Sequence, residues 1–298
     1  MSFPHVSLAQ LRCFRAVVEH GGFVAASVHL HLSQSAVSHA VKALEGALGA
    51  PLLLRGHRGG VTLTAAGAAA LAEARLALAA VERMAAGVAE TAGSRRLSGT
   101  LRIGVVQSAA VHLLPGWLRQ LRASHPGIAV TLHEGTDPEV MDWVRAGVVE
   151  VGVTSRTHAS LTARAMRQDS YVVVVPDGHP LADRPSVGLR ELDGQRMLLS
   201  GGGCETLIQE LLASAGSNPE IVCLVRDNAA LASMVAGGLG LTIMPELALP
   251  ADRHGLTLVA LHPPVRRTLH LLSRPQEAQG PMALAFITAA EQGRRPAP

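Results

Sequence analysis

The chain has 298 residues, 48% of them hydrophobic and 16% charged; this composition is typical of a folded protein of two or three domains and excludes a disordered chain. No apolar run approaches the ~20 residues of a membrane-spanning helix, and the first residues lack the apolar core of a signal peptide, so we expect a cytoplasmic protein without membrane contact. The three cysteines have no zinc-ligand spacing, and the sequence predicts neither a metal site nor a cofactor.

The formal net charge of +3 is concentrated at one end of the chain. Residues 1–64 contain five Arg or Lys against two Asp or Glu, which leaves 21 basic and 21 acidic residues in the remainder. A small basic domain joined to a neutral larger one favours a head that binds a polyanion and a body with another task. On charge alone, an ordinary solvated surface is the alternative.

Side-chain caps mark the first helices. Ser7 followed by Gln10 forms a capping box, and the apolar stripe behind it predicts a first helix that ends at the glycine pair 21–22. A second, shorter helix is predicted over residues 23–30. After a brief turn, Ser33 is placed to cap a third helix.

The third helix has two different faces. Its apolar residues fall on one side, and the other side carries five polar ones: Gln34, Ser35, Ser38, His39 and Lys42. Two short helices joined by a tight turn form a helix-turn-helix, whose second helix lies in the DNA major groove. Gln34 can pair with adenine, the serines can donate or accept hydrogen bonds, and Lys42 can meet a phosphate or guanine. Taken alone, this helix is equally compatible with an amphipathic helix whose polar face is merely solvated.

A hairpin follows in the segment "LGAPLLLRGHRGGVTLTAAG". Its predicted strands cover residues 52–55 and 61–64, and the tip presents His57 and Arg58. Such a wing can reach the phosphate backbone or the minor groove. We therefore add Arg55 and Arg58 to the predicted DNA contacts.

The whole N-terminal pattern resembles that of the LysR-type transcriptional regulators. The matching segments are "GGFVAAS", "LHLSQSAVSHAVKALEGALGAPLLLR" and "VTLTAAG". Leu53 departs from the pattern, since the family usually has Phe there, and we interpret it as a conservative core exchange. The resemblance implies a winged helix-turn-helix domain over residues 1–64 that binds double-stranded DNA.

An alanine-rich helix is predicted next, over residues 65–92. Its apolar seam repeats at spacings of three and four residues, as in a coiled coil, and includes Leu71, Leu78, Val81 and Val88. A helix packed on its own domain is the alternative. The resemblance implies a linker helix that dimerises two heads, in a homodimer or homotetramer that contacts RNA polymerase. "GSRRLSG", residues 93–99, is the predicted hinge.

Beyond the hinge, strand and helix patterns alternate, which predicts an α/β body with mostly parallel sheet over residues 100–298. The resemblance implies two α/β subdomains similar to periplasmic solute-binding proteins, with a small-molecule effector in the cleft between them. We expect subdomain I at about 100–160 and 267–298, and subdomain II at about 161–266. The chain is then expected to cross between them near 155–164 and 261–267.

Strand-to-helix junctions facing such a cleft expose backbone N–H groups, which favour an anionic effector. Each polar residue there can equally be a helix cap. The predicted effector contacts are Gln107, Ser108, Thr136, Thr154, Gly202, Gly203, Cys204 and Asn228.

Cys204 points to an alternative function, a redox-responsive regulator that senses an oxidant through this thiol. It follows three glycines at a predicted helix start, where the helix dipole can lower the pKa of a thiol. The C-terminal half is similar to the peroxide-sensing branch of the family, with Cys204 at the position of that branch's reactive cysteine. The expected resolving cysteine, near Ala213, is absent.

Two other classes of protein fit less well. The histidines are scattered, and no HExxH, GxSxG or paired-carboxylate motif is found, so we do not expect an enzyme. Residues 100–298 alone would suit a solute-binding transport component, but the helix-turn-helix head argues against that function.

Overall fold

The computed structural model describes residues 5–55, 60–91, 97–275 and 279–293. By internal contacts the chain divides into two compact units, with the boundary between residues 96 and 97. Within the described ranges, no helix combines the length and apolar character needed to span a bilayer.

The first unit, the head, is mostly helical. Its elements in chain order are α1 (Leu8–Glu19), α2 (Phe23–Leu30), α3 (Gln34–Leu48), β1 (Leu53–Arg55), β2 (Val61–Leu63) and α4 (Ala65–Thr91). The predicted capping box is confirmed, because Ser7 Oγ accepts from the Gln10 amide at 3.3 Å and Gln10 Oε1 accepts from the Ser7 amide at 2.8 Å. Each helix that the sequence predicts for this unit is present.

The turn between α2 and α3 has an unusual backbone. His31 has φ = 53°, in the left-handed region that non-glycine residues rarely adopt. The chain then enters α3 through Ser33, whose Oγ accepts from the Ala36 amide at 3.2 Å. Gly49, with φ = 69°, ends α3, as is common one residue beyond a helix.

The head is held together by one apolar core. Phe14, Val17, Val37 and Leu44 are each fully buried in it. The two short strands pair antiparallel and form the predicted hairpin. Gly67 lies so close to the hairpin that an added Cβ would stand 2.0 Å from the Leu52 carbonyl oxygen, which explains a glycine in the first turn of α4.

The second unit, the body, combines sheet and helix. Its strands are β3 (Gly99–Val105), β4 (Ile128–Glu134), β5 (Val151–Thr154), β6 (Thr162–Pro176), β7 (Ser186–Val187), β8 (Arg196–Ser200), β9 (Glu220–Val225), β10 (Thr242–Pro245), β11 (Leu256–Leu261) and β12 (Arg266–Ser273). Its helices are α5 (Gln107–His112), α6 (Leu114–Ser124), α7 (Asp137–Arg145), α8 (Glu205–Ser214), α9 (Asn228–Ala236) and α10 (Pro281–Gly293), with short 3-10 helices at Leu189–Leu192 and Glu246–Ala248.

One helix of the body differs from the prediction. The segment predicted as a single helix after β3 is divided into α5 and α6 at Leu113. Pro115 stands in the first turn of α6, where its missing amide hydrogen is tolerated, although it could not continue α5.

The long strand β6 connects the two halves of the body. Its first part, Thr162 to Ser170, pairs with β12, and its second part pairs with β10 and β11. The first half of the body contains β4, β3, β5 and β12, of which the first three run parallel. The second half contains β7, β11, β10, β8 and β9. The sheet is therefore mixed rather than mostly parallel.

The crossing points between the halves can be read from this pairing. The chain passes from the first half to the second inside β6, near Ser170, and not in the loop at 155–164 as predicted. The polar sequence "TARAMRQDS" hid this strand. The return crossing falls between Leu261, the last residue of β11, and Arg266, the first residue of β12.

Separate cores lie in the two halves. In the first half, Leu101, Ile103 and Phe286 are fully buried in a cluster with Trp117. In the second half, Val173 and Val174 alternate between two clusters, one on each side of the sheet. Each half of the body therefore has a core of its own.

Candidate functional site

The polar face of α3 is open to solvent. Gln34, Ser35, His39 and Lys42 are exposed, and Ser38 is half-buried. On the opposite side of the helix, Val37, Val41 and Leu44 are buried. All five predicted contact residues of α3 thus lie on the face that the head leaves uncovered.

The wing is described only in part. Arg55 is the last residue of β1, while His57 and Arg58 lie outside the described residues. The assignments of Arg55 and Arg58 as DNA contacts stay predictions.

Glu45 attaches α3 to the wing, a function that the sequence analysis missed. Its Oε1 accepts from the backbone amide of Leu52 at 2.7 Å and from that of Leu53 at 3.2 Å. Leu52 is 1% exposed, so water cannot replace this acceptor easily. The bonds fix the start of β1 against the helix that carries the polar face.

The predicted seam of α4 divides into two parts. Leu71 and Ala74 pack into the core of the head, and Leu78 is 6% exposed. Leu71 is thus covered by its own chain, which differs from the prediction that it faces a partner helix. Further along, Val81 is half-buried and Val88 is 64% exposed. The second part of the seam therefore exposes apolar surface.

In the body, an arginine whose side chain is 11% exposed lies where the two halves meet, and the sequence analysis did not single it out. Arg267 on β12 donates through Nε and Nη2 to Oδ2 of Asp169 on β6, at 2.8 and 2.7 Å. Its Nη2 also donates to Ser108 Oγ at 2.8 Å, at the start of α5. Asp169 Oδ1 accepts from the amides of Ser170 and Leu247 at 2.9 and 3.2 Å. Residues of β6, β12 and α5 therefore contribute to one hydrogen-bonded cluster.

Tyr171 lies beside this cluster. The Arg267 guanidinium is 5.8 Å from the centre of its ring. Burial raises the pKa of Tyr171, and Cys204, Asp137 and Asp169 act in the same direction against Arg267. The tyrosine is thus within electrostatic range of residues from both halves of the body.

Cys204 immediately precedes α8 and packs against the core of the second half. Burial raises the pKa of its thiol, and this effect outweighs the hydrogen bond with Ser200 and the charge of Arg267, which both lower it. The direction is opposite to the one expected from the helix dipole. A protonated thiol is the weaker nucleophile, so the local environment does not favour the redox alternative.

Two of the contacts between the halves involve predicted effector residues. Gln107 Nε2 donates to Asp227 Oδ2 at 3.3 Å. Gly203, with φ = 104°, approaches Thr136 so closely that an added Cβ would lie 3.3 Å from the Thr136 Cβ. Predicted residues from separate segments are thereby brought together.

The remaining predicted contacts differ in their surroundings. Asn228 is 9% exposed, and its Oδ1 would lie 3.9 Å from a Cβ added at Gly202. Thr154 is fully buried, and its hydroxyl donates to the Arg156 carbonyl at 2.5 Å. Thr154 is therefore occupied within the first half of the body, unlike Ser108 and Cys204, which converge on Arg267.

A winged helix-turn-helix head on a chain whose body is a two-part α/β domain with a polar cleft defines a ligand-responsive transcription regulator. Residues 8–68 match the bacterial regulatory helix-turn-helix protein, lysR family. Residues 94–295 match the LysR substrate binding domain.

This chain belongs to the LysR family of transcription regulators, which is not a class of enzymes. It is 32% identical over 290 residues to the probable regulator LrrA of Synechococcus elongatus, covering 96% of this chain and 97% of LrrA. A full-length OxyR variant from Pseudomonas aeruginosa has the same fold, with a TM-score of 0.79 at 23% identity over 98% of this chain and 99% of OxyR. CbnR in complex with its target DNA gives a TM-score of 0.55 at 26% identity, covering 97% of this chain and all of CbnR.

Proposed function

We propose that the protein binds operator DNA through α3 and the wing, and that an effector in the cleft of the body changes how the subunits are arranged. The exposed polar face of α3 carries the DNA part of this proposal. The similarity to CbnR, which was solved with its target DNA, supports it. Acting on DNA, the protein functions in the cytoplasm.

The contacts in the major groove follow from side-chain chemistry. Gln34, at the start of α3, presents an amide suited to adenine, and Ser35 and Ser38 are short enough for close approach to base edges. His39 and Lys42 lie further along the same face, where Lys42 reaches a phosphate or a guanine. Arg55 and Arg58 of the wing neutralise backbone phosphates.

The effector part of the proposal rests on the cleft. Ser108 Oγ accepts from Arg267 where β6 and β12 pair, Gly203 lies close to Thr136, and Asn228 lies close to Gly202. The charge of Arg267 also acts on the Cys204 thiol. Gln107, Thr154 and Gly202 complete the predicted set. An effector that binds the closed cleft more tightly than the open one shifts the population of the two arrangements.

The subunits are proposed to associate through the second part of α4. Val88 is exposed there and Val81 half-covered, and an apolar stripe of this kind is stabilised by a second helix. The helix then fixes the distance between two heads, in a dimer or a tetramer of two dimers. Contact with RNA polymerase follows from the same arrangement on DNA. In this scheme the DNA-binding head comprises residues 1–64 and the linker helix residues 65–92. The hinge comprises residues 93–99, and the body comprises residues 100–298.

A salt titration tests the DNA contacts. Binding of the full-length protein to the DNA upstream of its own gene is measured as the salt concentration rises. Lys42→Ala and Arg58→Ala are each expected to weaken binding and to reduce the slope of log K against log salt by about one. Arg119→Ala, an exposed arginine of α6, is the matched control and leaves the slope unchanged. If both head variants behave like the control, the assigned contacts are wrong.

A further inference from the structure

The helix N-termini at the cleft suggest a site for an anion, but most of the charged side chains beside them are acidic. Each of the three longer helices that begin at the cleft already has a carboxylate at its start. In α7 these are Asp137 and Glu139, in α8 Glu205, and at α9 the cap Asp227. The positive end of each helix is thus compensated by the chain itself.

These carboxylates make hydrogen bonds with backbone groups at the cleft. Glu139 Oε2 accepts from the Thr136 amide at 2.8 Å, and this bond is the main reason that the pKa of Glu139 is lowered. Glu205 Oε2 accepts from the Gly203 amide at 2.9 Å. Asp227 Oδ1 accepts from the Ala230 amide at 2.7 Å. The amides that would bind an anionic ligand are therefore partly occupied.

The positive charge of the Arg267 guanidinium at the junction is also balanced by a carboxylate. Arg267 uses Nε and Nη2 on Asp169, whose carboxylate is held in place by two backbone amides. A second guanidinium, that of Arg226, lies within electrostatic range of Glu139. Among the described residues that these contacts connect, five acids face two arginines: Asp137, Glu139, Asp169, Glu205 and Asp227 against Arg226 and Arg267.

Two polar side chains in this cleft have no internal partner. Tyr171 is 3% exposed and Asn228 is 9% exposed. Within the described part of the chain, neither the Tyr171 hydroxyl nor the Asn228 amide makes a side-chain hydrogen bond. Neither polar group is among the enclosed, unsatisfied polar atoms of the described residues, so both are open to solvent and available to a ligand.

We propose that the effector is a small polar molecule without net negative charge, bound through its own N–H or O–H donors to the acidic cleft. This inference deepens the proposed function, because it names the chemical class of the effector at the same site. Carboxylate oxygens of Asp227, together with Asn228 Oδ1 and the Tyr171 hydroxyl, accept from such donors, whereas both oxygens of Asp137 already accept from Ser155 at 2.6 Å. An anion would instead add to an excess of negative charge.

Cys204 provides a reporter of the charge in the cleft. Two methanethiosulfonate reagents of equal length, one with an aminoethyl group and one with a sulfonatoethyl group, are allowed to react with the native full-length protein. The rate at Cys204 is followed by peptide mass spectrometry and is divided by the rate of each reagent with 2-mercaptoethanol. Because both reagents attack the same thiolate, the raised pKa of Cys204 slows them equally and leaves their ratio unaffected.

We expect the normalised rate of the cationic reagent to exceed that of the anionic reagent by roughly fivefold at low salt, and this preference to shrink as salt is added. Asp227→Asn should reduce the preference while keeping the helix cap, since Asn caps as well as Asp. Asp183→Asn, in an exposed turn beyond β6, is the matched control.

A faster reaction of the anionic reagent, or equal rates, overturns the proposal. Failure of both reagents to reach Cys204 also overturns it, since a cleft closed to a two-carbon group does not admit the proposed effector. The measurement requires no DNA. The salt titration of operator binding on the same preparation therefore separates an error in the charge of the effector from an error in the proposed function.

Discussion

The bond between Glu45 and the wing gives the most direct test of how the head is assembled. Glu45 lies in the last third of α3, and its carboxylate accepts from two successive backbone amides at the start of β1. Glu45→Ala removes both acceptor interactions at once. The Leu52 amide then stays in an apolar environment without a partner.

The expected cost follows from that geometry. A buried donor left without its acceptor costs about 1–3 kcal/mol, and the second amide adds to this. Ala is a slightly better helix former than Glu, and this offsets the lost stability by a few tenths of a kcal/mol. We therefore expect Glu45→Ala to lower the free energy of unfolding of the head by about 2–4 kcal/mol. Glu45→Gln retains an acceptor oxygen without the charge, and should cost about 1 kcal/mol.

The positions of the tryptophans allow the head and the body to be followed separately in the intact chain. Trp117 and Trp143 both lie in the body, so tryptophan fluorescence reports the body, whereas the loss of far-ultraviolet circular dichroism also includes the helical head. In urea, Glu45→Ala should shift only the circular dichroism transition. Glu73→Ala, at an exposed position of α4, is the control and should change stability by less than about 0.5 kcal/mol. Equal stabilities of the Glu45→Ala and Glu73→Ala variants would refute the reasoning.

Five further substitutions, at four positions, have opposite or graded outcomes in the same unfolding assay. Gly67→Ala should destabilise the head by at least about 2 kcal/mol, because the methyl group meets a carbonyl oxygen at 2.0 Å, whereas Gly46→Ala, in open space on α3, should stabilise it by up to about 1 kcal/mol. His31→Gly should stabilise the head by up to about 1 kcal/mol by relieving the left-handed backbone, and His31→Val should do the reverse. Asp169→Ala should shift the fluorescence transition of the body by about 3–5 kcal/mol, because Arg267 is left buried without its carboxylate.

The head was predictable because its signals are local. Ser7 and Ser33 cap helices within three residues of themselves, and a short repeat of apolar positions determines which face of α3 is buried. The bond from Glu45 to Leu52 spans seven residues and has no sequence signature of its own. It was missed even though every element around it was correctly placed.

The body was less predictable because its junction depends on distant pairing. Arg267 and Asp169 are 98 residues apart, and only the antiparallel register of β12 and β6 brings them together. The same register creates the first part of β6, whose polar sequence does not alternate like a half-buried strand. An arginine in a strand gives no local indication that it is buried.

The charge of the cleft shows why the type of residue at a helix start is insufficient to predict a ligand. A helix N-terminus attracts an anion only while its amides and its dipole are free. In α7, α8 and α9 the chain places its own carboxylate at that end. The same junctions that suggested an anion from sequence therefore favour a ligand that donates hydrogen bonds. For this family member, the search for an effector should begin with amines and neutral polar molecules.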